Sequence, residues 1–320
     1  MSKIEDGNGE YWIKRIIARD KAAKLSEDKL LKHLYNAYSD SYITIQKELN
    51  DFYMKYATEN GLSYSDVVKK LKPTDMREYN SKMNQLKRLY KATKNEDIFM
   101  EMQRLGARGN ITRLQALLDS IDIELIKNSY KAQIKIEEHL SDMYKRSYKE
   151  ALEEVGMINK VINNRAVKEA LTYPWSGKNF SNRIWDLKKT TLNKFQDTIT
   201  KGIIQGKSIQ DMAGNIRDLS TQTYKKNMEQ WQIEKAYRYN SERLVRTETN
   251  YFMTRGHIEG YKESGIIEAL QIDEYIDGRT CSACKNKDGT IVKLSEVIYG
   301  DNVPPFHPGC RGTVIPIIEE

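Results

Sequence analysis

Residues 281–284 read CSAC and residues 307–310 read HPGC, and these two short stretches decide how the C-terminal part of the chain can fold. They contain all three cysteines of the chain and one of its four histidines. Two close ligand pairs, separated by the 22 residues 285–306, have the spacing of a structural zinc site. With Cys281, Cys284, His307 and Cys310 as ligands, the ion has no open position. The pattern therefore predicts a structural zinc ion that cross-links this part of the fold and has no catalytic role.

The same cysteines could instead form one disulfide and leave a spare thiol. A disulfide is disfavoured, because three cysteines would leave one thiol without a disulfide partner and because the histidine has the spacing of a metal ligand.

Composition sets broad limits on the class of protein. The chain has 320 residues, of which 30% are charged and 39% hydrophobic, and this is typical of a soluble globular protein with long helices. The length is enough for two or three domains. A net charge of +7 permits contact with nucleic acid without establishing it. The N-terminus has no apolar signal-peptide core and no run approaches eighteen apolar residues, so we expect synthesis in the cytoplasm and no membrane contact.

The N-terminal part of the chain has the periodicity of long helices. Apolar and tyrosine side chains recur at three- and four-residue steps between about residues 11 and 58 and again between residues 112 and 155. Residues 228–263 have the composition of a third long helix. The sequence leaves open whether the first helices form a hairpin within one chain or a bundle between chains.

Beyond Gly265 the period changes to the alternation of a strand, over residues 266–276. Residues 291–292 and 313–317 predict two further strands. The predicted fold class is therefore mostly α, with a long-helix N-terminal body and a small zinc-stapled α+β domain at the C-terminus. The predicted domains are a helical body or stalk over 1–170, a helical linker region over 171–240 and the zinc-binding α+β domain over 241–320.

Three motifs follow one another in the second half of the chain. They are Arg246-Thr247-Glu248, Asp277-x-Arg279-Thr280-Cys281-x-x-Cys284 and His307-Pro308-x-Cys310-Arg311, preceded by Trp175, Ile184, Trp185, Gly206 and Ser208. In this order and approximate spacing, over roughly residues 170–320, the chain resembles the phage head morphogenesis family. These are minor capsid proteins similar to phage Mu protein F, and the likeness is greatest to those from tailed phages of Gram-positive bacteria and their prophages. The family often has a further cysteine where this chain has Gly312, which leaves Cys310 as the fourth ligand.

The resemblance implies a structural virion protein, present in few copies in the phage head interior or at the portal vertex. It implies association with the portal protein, a part in head morphogenesis and a role in DNA packaging or ejection. The major capsid or scaffold protein and double-stranded DNA are further candidate partners.

The competing hypothesis is a zinc-dependent enzyme that acts on nucleic acid. In a deaminase-like site, His257 and Glu259 would join the cysteine pair, but Thr280 stands where that signature has proline and the second ligand pair would be unused. A nuclease needs an additional catalytic histidine, and His33 and His139 have no partner signature. We therefore expect His33 and His139 to be solvated and His257 to lie on a helix surface.

Several charged residues are predicted to support the metal site. Asp277 is predicted to accept hydrogen bonds from the backbone amides of the cysteine turn. Arg279 and Arg311 flank the ligands, where they could offset thiolate charge or contact phosphate. Arg246 and Glu248 point to different sides of a helix and are predicted to form a latch between that helix and its surroundings.

Overall fold

The computed structural model describes residues 8–58, 61–157, 162–207, 228–274, 276–278 and 280–317. Arg279, predicted to flank the metal, therefore lies outside the described residues. Ser208 of the family motifs and Tyr275 of the predicted strand also lie outside them.

Long helices make up most of the described chain, and a small sheet follows them, which confirms the mostly helical fold. The helices are α1 (Asn8–Tyr56), α2 (Tyr64–Val67), α3 (Pro73–Thr93), α4 (Glu96–Gly106), α5 (Arg113–Glu154), α6 (Asn164–Thr172), α7 (Phe180–Ile204), α8 (Met228–Ser264) and α9 (Ser282–Lys287). The strands are β1 (Ala269–Asp273), β2 (Ile291–Lys293) and β3 (Thr313–Ile317). Among the described residues, no helix combines the length and the apolar composition needed to cross a membrane.

Helix boundaries follow the local capping chemistry. Ser63 caps α2 by accepting a hydrogen bond from the amide of Asp66, and Asn95 caps α4 through the amide of Ile98. Helix α3 begins at Pro73, after Lys72. Proline is favoured at the first helical position because its missing N–H has no helical partner there.

The chain forms two compact units, and α1, α5, α7 and α8 contribute residues to both. The first unit comprises residues 1–33, 134–183 and 241–320, and the second comprises residues 34–133 and 184–240. The predicted division at residues 170 and 240 stays a prediction.

The described residues of the second unit form a helical body that contains apolar clusters. In one cluster Tyr38 stacks on Tyr237, with ring centroids 3.9 Å apart. The unit also buries a cation: Nζ of Lys188 lies 2.7 Å from a carboxylate oxygen of Glu101 and 2.7 Å from one of Asp122. Two carboxylates around one buried ammonium satisfy a charge that would otherwise be expensive to remove from water.

The first unit contains the sheet and the helices that pack beneath it. The sheet is antiparallel in the order β2-β1-β3, and Leu270 of β1 is paired with Val292 on one side and with Pro316 on the other. Leu270 and Ile272 are fully buried against Ile258 and Tyr261 of α8. Strand β1 ends at Asp273 and begins at Ala269, so it is shorter than the predicted strand at 266–276.

Helices α5 and α8 approach each other closely in this unit. A Cβ on Gly256 would lie 3.0 Å from Cβ of Ser147, and a Cβ on Gly260 would lie 2.7 Å from Cβ of Ala151. Glycine is therefore required at both positions for the two helices to pack at this distance.

Candidate metal centre

Each of the two ligand pairs is held by its own tight turn. Cys281 is the N-cap of α9, where its sulfur accepts a hydrogen bond from the amide of Cys284 at 3.5 Å. In the second turn the amide of Cys310 donates to the carbonyl of His307 at 3.1 Å, and Gly309 adopts φ 77°. That left-handed conformation favours glycine because it has no Cβ. The turns present the ligand side chains from the ends of β1 and β3.

The turns bring the predicted ligands into contact around Cys284. Nε2 of His307 lies 3.3 Å from Sγ of Cys281 and 3.1 Å from Sγ of Cys284. The sulfur atoms of Cys284 and Cys310 are 3.7 Å apart, and all three cysteines are free thiols. Tetrahedral zinc with Zn–S of about 2.3 Å and Zn–N of about 2.0 Å gives ligand separations of about 3.8 Å for S–S and about 3.5 Å for S–N. The three separations around Cys284 are close to these values, but Cys310 does not share one group of donor atoms within 4.8 Å with Cys281 and His307.

His307 is oriented as a ligand. Its Nδ1 lies 3.0 Å from the carbonyl oxygen of Pro308, which makes Nδ1 the protonated nitrogen and leaves Nε2 free to bind a metal. Nε2 is the nitrogen that faces the two sulfur atoms.

The thiols differ in how readily they ionise. Burial raises the pKa of Cys284 and of Cys310, and each also lies next to another acidic group. The pKa of exposed Cys281 is lowered, chiefly because the amide of Cys284 donates to its sulfur. Because thiolates are the form that binds metal, a cation at this site would offset the burial that keeps the inner two thiols protonated.

Sequence reasoning missed one candidate ligand, Glu274. The donor atoms of the described residues form two overlapping groups, one of Cys281, Cys284 and His307 and the other of Glu274, Cys284 and Cys310, each with all its atoms within 4.8 Å of one another. Glu274 follows β1 directly, is 4% exposed, and has a pKa raised by burial. A lone glutamate 36 residues from Cys310 carries no spacing signal that could have identified it.

The structure brings Asp277 and Arg311 together. The guanidinium of Arg311 donates two hydrogen bonds to the carboxylate of Asp277, at 2.6 and 3.0 Å. The hydroxyl of Thr280 donates to the same carboxylate at 3.2 Å. This ion pair links Asp277, which precedes the first ligand turn, to Arg311, which follows the second ligand turn.

Two further α8 residues attach the second turn to the helix. Oγ1 of Thr247 accepts a hydrogen bond from the amide of Gly309 at 2.9 Å. The side-chain amide of Asn250 donates to the carbonyl of Cys310 at 2.6 Å and to that of Gly312 at 3.1 Å. Thr247 stands in the centre of the Arg246-Thr247-Glu248 motif, so the motif itself was the signal for this contact.

The charged members of that motif face other partners. Glu248 is 1% exposed. Its carboxylate accepts a hydrogen bond from Nε1 of Trp175 at 3.2 Å and lies 3.0 Å from Nε of Arg183. Burial raises the pKa of Glu248 to about 7. Arg246 pairs with Glu242 at 2.8 Å and lines a cavity of about 180 Å³ beside residues 309–313.

The predicted environments of two histidines are wrong. His257 is fully buried and lies 3.6 Å from Glu150, because α8 turns this face toward α5. His139 is half-buried, with its ring nitrogens 3.2 Å from the hydroxyl of Ser26 and 2.8 Å from that of Thr249. Within the described ranges, neither candidate ligand group contains His257 or Glu259, the residues that a deaminase-like site requires.

Comparison with known proteins gives one match. The model of the family described as Phage Mu protein F like protein matches residues 193–315. This confirms the resemblance predicted from the motifs, for the segment that contains all four predicted ligands. No curated protein and no solved structure matches the chain.

Proposed function

We propose that the chain is a structural minor head protein of a tailed phage, made in the host cytoplasm and carried in the virion at the head interior or portal vertex. The observation that carries this proposal is the family match over residues 193–315, which spans both ligand turns and the motif at Arg246. In this role the protein binds the portal protein, takes part in head morphogenesis and contributes to DNA packaging or ejection, without being an enzyme.

A zinc ion has a structural part in the proposal. Cys281, Cys284, His307 and Cys310 would hold it, and the ion would supply a cross-link between the turn after β1 and the turn before β3. Such a cross-link favours the fold of a short segment that has little apolar core of its own. The separations of 3.1–3.7 Å among neighbouring donor atoms support this assignment.

The surrounding residues position these ligands. The carbonyl of Pro308 fixes the His307 ring, and the Arg311–Asp277 pair ties the two turns together. We propose that Arg279 and Arg311 offset the negative charge of three thiolates, and that Arg246 and Glu248 hold α8 against the rest of its unit.

The contact surface for other head proteins would be helical. The portal protein is the principal partner, with the major capsid or scaffold protein and double-stranded DNA as further ones. The net charge of +7 supports the DNA contact, and binding by phosphate neutralisation would weaken steeply as salt is raised.

The test is co-purification of the full-length chain with the portal protein of the same phage, at low and at high salt. We expect a stable complex that survives high salt, because the contact is made by packed helices. Absence of a complex at either salt would contradict the portal assignment. Turnover of DNA or of a nucleoside, abolished by Cys284→Ser in a variant that stays folded, would contradict the structural role.

A further inference from the structure

Helix α3 presents unpaired positive charge along its outer face. Residues 79–95 contain five lysine or arginine residues and no aspartate or glutamate. Four exposed cations of the helix define what we call its basic face: Arg77, Lys87, Arg88 and Lys91. Within the part of the chain that the structure describes, none of these four side chains has an ion-pair or hydrogen-bond partner.

Several exposed cations on other helices do have carboxylate partners. Examples three or four residues apart are Lys135 with Glu138, Arg165 with Glu169 and Arg238 with Glu234. Opposite charges at these spacings stabilise a helix, whereas like charges destabilise it. On α3, Lys91 follows Lys87 by four residues and Arg88 by three. The basic face therefore contains a repulsion that an anionic partner would remove.

The end of the helix accounts for only part of this charge. Lys91 lies in the last turn of α3, where the helix dipole favours a cation. Lys87 and Arg88 precede that turn, and Arg77 lies near the opposite end of a helix that runs from Pro73 to Thr93. The dipole effect is confined to the terminal turns, so it does not explain these three cations.

The basic face has a length and a polar character that suit a nucleic-acid backbone. Arg77, Asn84, Arg88 and Lys91 follow one another at steps of seven, four and three residues, which places them on one side of the helix. At a rise of about 1.5 Å per residue, Arg77 and Lys91 are about 21 Å apart along the axis. That distance corresponds to about six base pairs of duplex DNA. The exposed amide of Asn84 is a further donor to phosphate oxygen.

An acidic protein surface is a poorer match to this face. Residues 69–99 are all described, and none of their large apolar side chains is exposed. Interfaces between proteins usually centre on buried aromatic or apolar side chains, and lysine is depleted in them. Interfaces with DNA are more polar and much more positively charged.

We propose that the basic face of α3 binds the phosphate backbone of double-stranded DNA through Arg77, Lys87, Arg88 and Lys91. This inference rests on the DNA contact of the proposed function and gives that contact a location in the second unit. Contacts to phosphate carry no direct sequence information, so the affinity is expected to be similar for duplexes of different sequence.

The test is the salt dependence of binding to a DNA duplex of about 30 base pairs, followed by fluorescence anisotropy with the full-length protein at about 50–200 mM salt. The variant combines Lys87→Gln, Arg88→Gln and Lys91→Gln, and glutamine keeps the helix propensity high. Its affinity is expected to fall. The plot of log affinity against log salt is expected to become shallower by about 2.7, because each phosphate contact contributes about 0.9.

The matched control removes the same number of exposed cations from α1, by Lys21→Gln, Lys29→Gln and Lys32→Gln combined. These lysines stand among acidic residues, with Asp20 beside Lys21 and Asp28 beside Lys29. The control variant is expected to keep the wild-type slope. Circular dichroism shows whether both variants keep their helical content.

Equal losses of affinity and slope in the two variants would overturn the assignment, because net charge alone would then explain binding. A wild-type protein that does not bind the duplex would also overturn it. The α3 variant is expected to co-purify with the portal protein as the wild type does. Loss of that complex with DNA binding unchanged would show that the basic face binds a protein partner instead. The portal complex of the wild type bears on the proposed function alone.

Discussion

The side-chain amide of Asn250 donates a hydrogen bond of 2.6 Å to the carbonyl of Cys310, so helix α8 holds the backbone of a predicted metal ligand directly. The same amide reaches the carbonyl of Gly312 at 3.1 Å, and the neighbouring Thr247 accepts from the amide of Gly309. The long helix therefore helps to position the second ligand turn through these side-chain contacts.

Asn250→Ala is expected to weaken zinc binding by about 10–100-fold, as is typical when a group that orients a metal ligand is removed. Zinc affinity measured by competition with a chromophoric chelator checks this value. Asn250→Asp keeps the size of the side chain but replaces the donor with a carboxylate facing two carbonyls, so it should weaken binding at least as much. Equal affinity in wild type and both variants would show that the hydrogen bonds do not position the turn.

Gly260→Ala is expected to destabilise the protein by about 1–3 kcal/mol, because the new methyl group would overlap Ala151 where α8 packs on α5. Urea unfolding followed by circular dichroism measures the change in free energy. Gly106→Ala is the control, since a Cβ at the exposed end of α4 would meet nothing within 4 Å. Equal stability of the two variants would contradict the close approach of the helices.

Removal of the buried cation in the second unit should be strongly destabilising. Lys188→Ala removes the buried ammonium and leaves Glu101 and Asp122 with the more exposed Arg104 as the cation that pairs with both, and removal of one partner from such a buried set costs about 3–5 kcal/mol. The exposed neighbour Lys189→Ala is the matched control and should change stability little. The prediction fails if chemical denaturation gives both variants the same unfolding free energy.

Because His257 is buried, we expect the protein to lose stability in acid. Burial lowers the pKa of His257 from 6.5 to about 4, with Arg19 lowering it further and Glu150 acting in the opposite direction. Because the pKa of the folded state lies below that of the unfolded state, this contribution is fully present above pH 6.5 and is lost as the pH falls toward 4. The difference corresponds to roughly 3 kcal/mol of unfolding free energy.

Urea unfolding at several pH values between 7 and 4 measures this term. His257→Gln should show a smaller loss of stability over that interval than the wild type, whereas the exposed His33→Gln should match the wild type. Metal loss at low pH affects all three proteins, so the difference between them isolates His257. Parallel curves for wild type and His257→Gln would exclude the buried histidine as a cause.

The helices and the four-ligand pattern were accessible from sequence because both rest on local spacing. The apolar period of α5 and the short intervals between Cys281 and Cys284 or His307 and Cys310 are visible without knowledge of the fold. Glu274 was not accessible, since its approach to Cys310 depends on how β1 and β3 pair. The burial of His257 depends in the same way on the packing of α8 against α5, which Gly256 and Gly260 permit.

The zinc content of the full-length protein, purified without added metal, is the sharpest test of the structural metal site. We predict a single zinc ion per chain, lost in Cys284→Ser together with the folded state of the C-terminal sheet, because binding of a structural metal is coupled to folding. Wild-type protein that contains almost no zinc, and whose thermal unfolding is unchanged by a chelator, would contradict it.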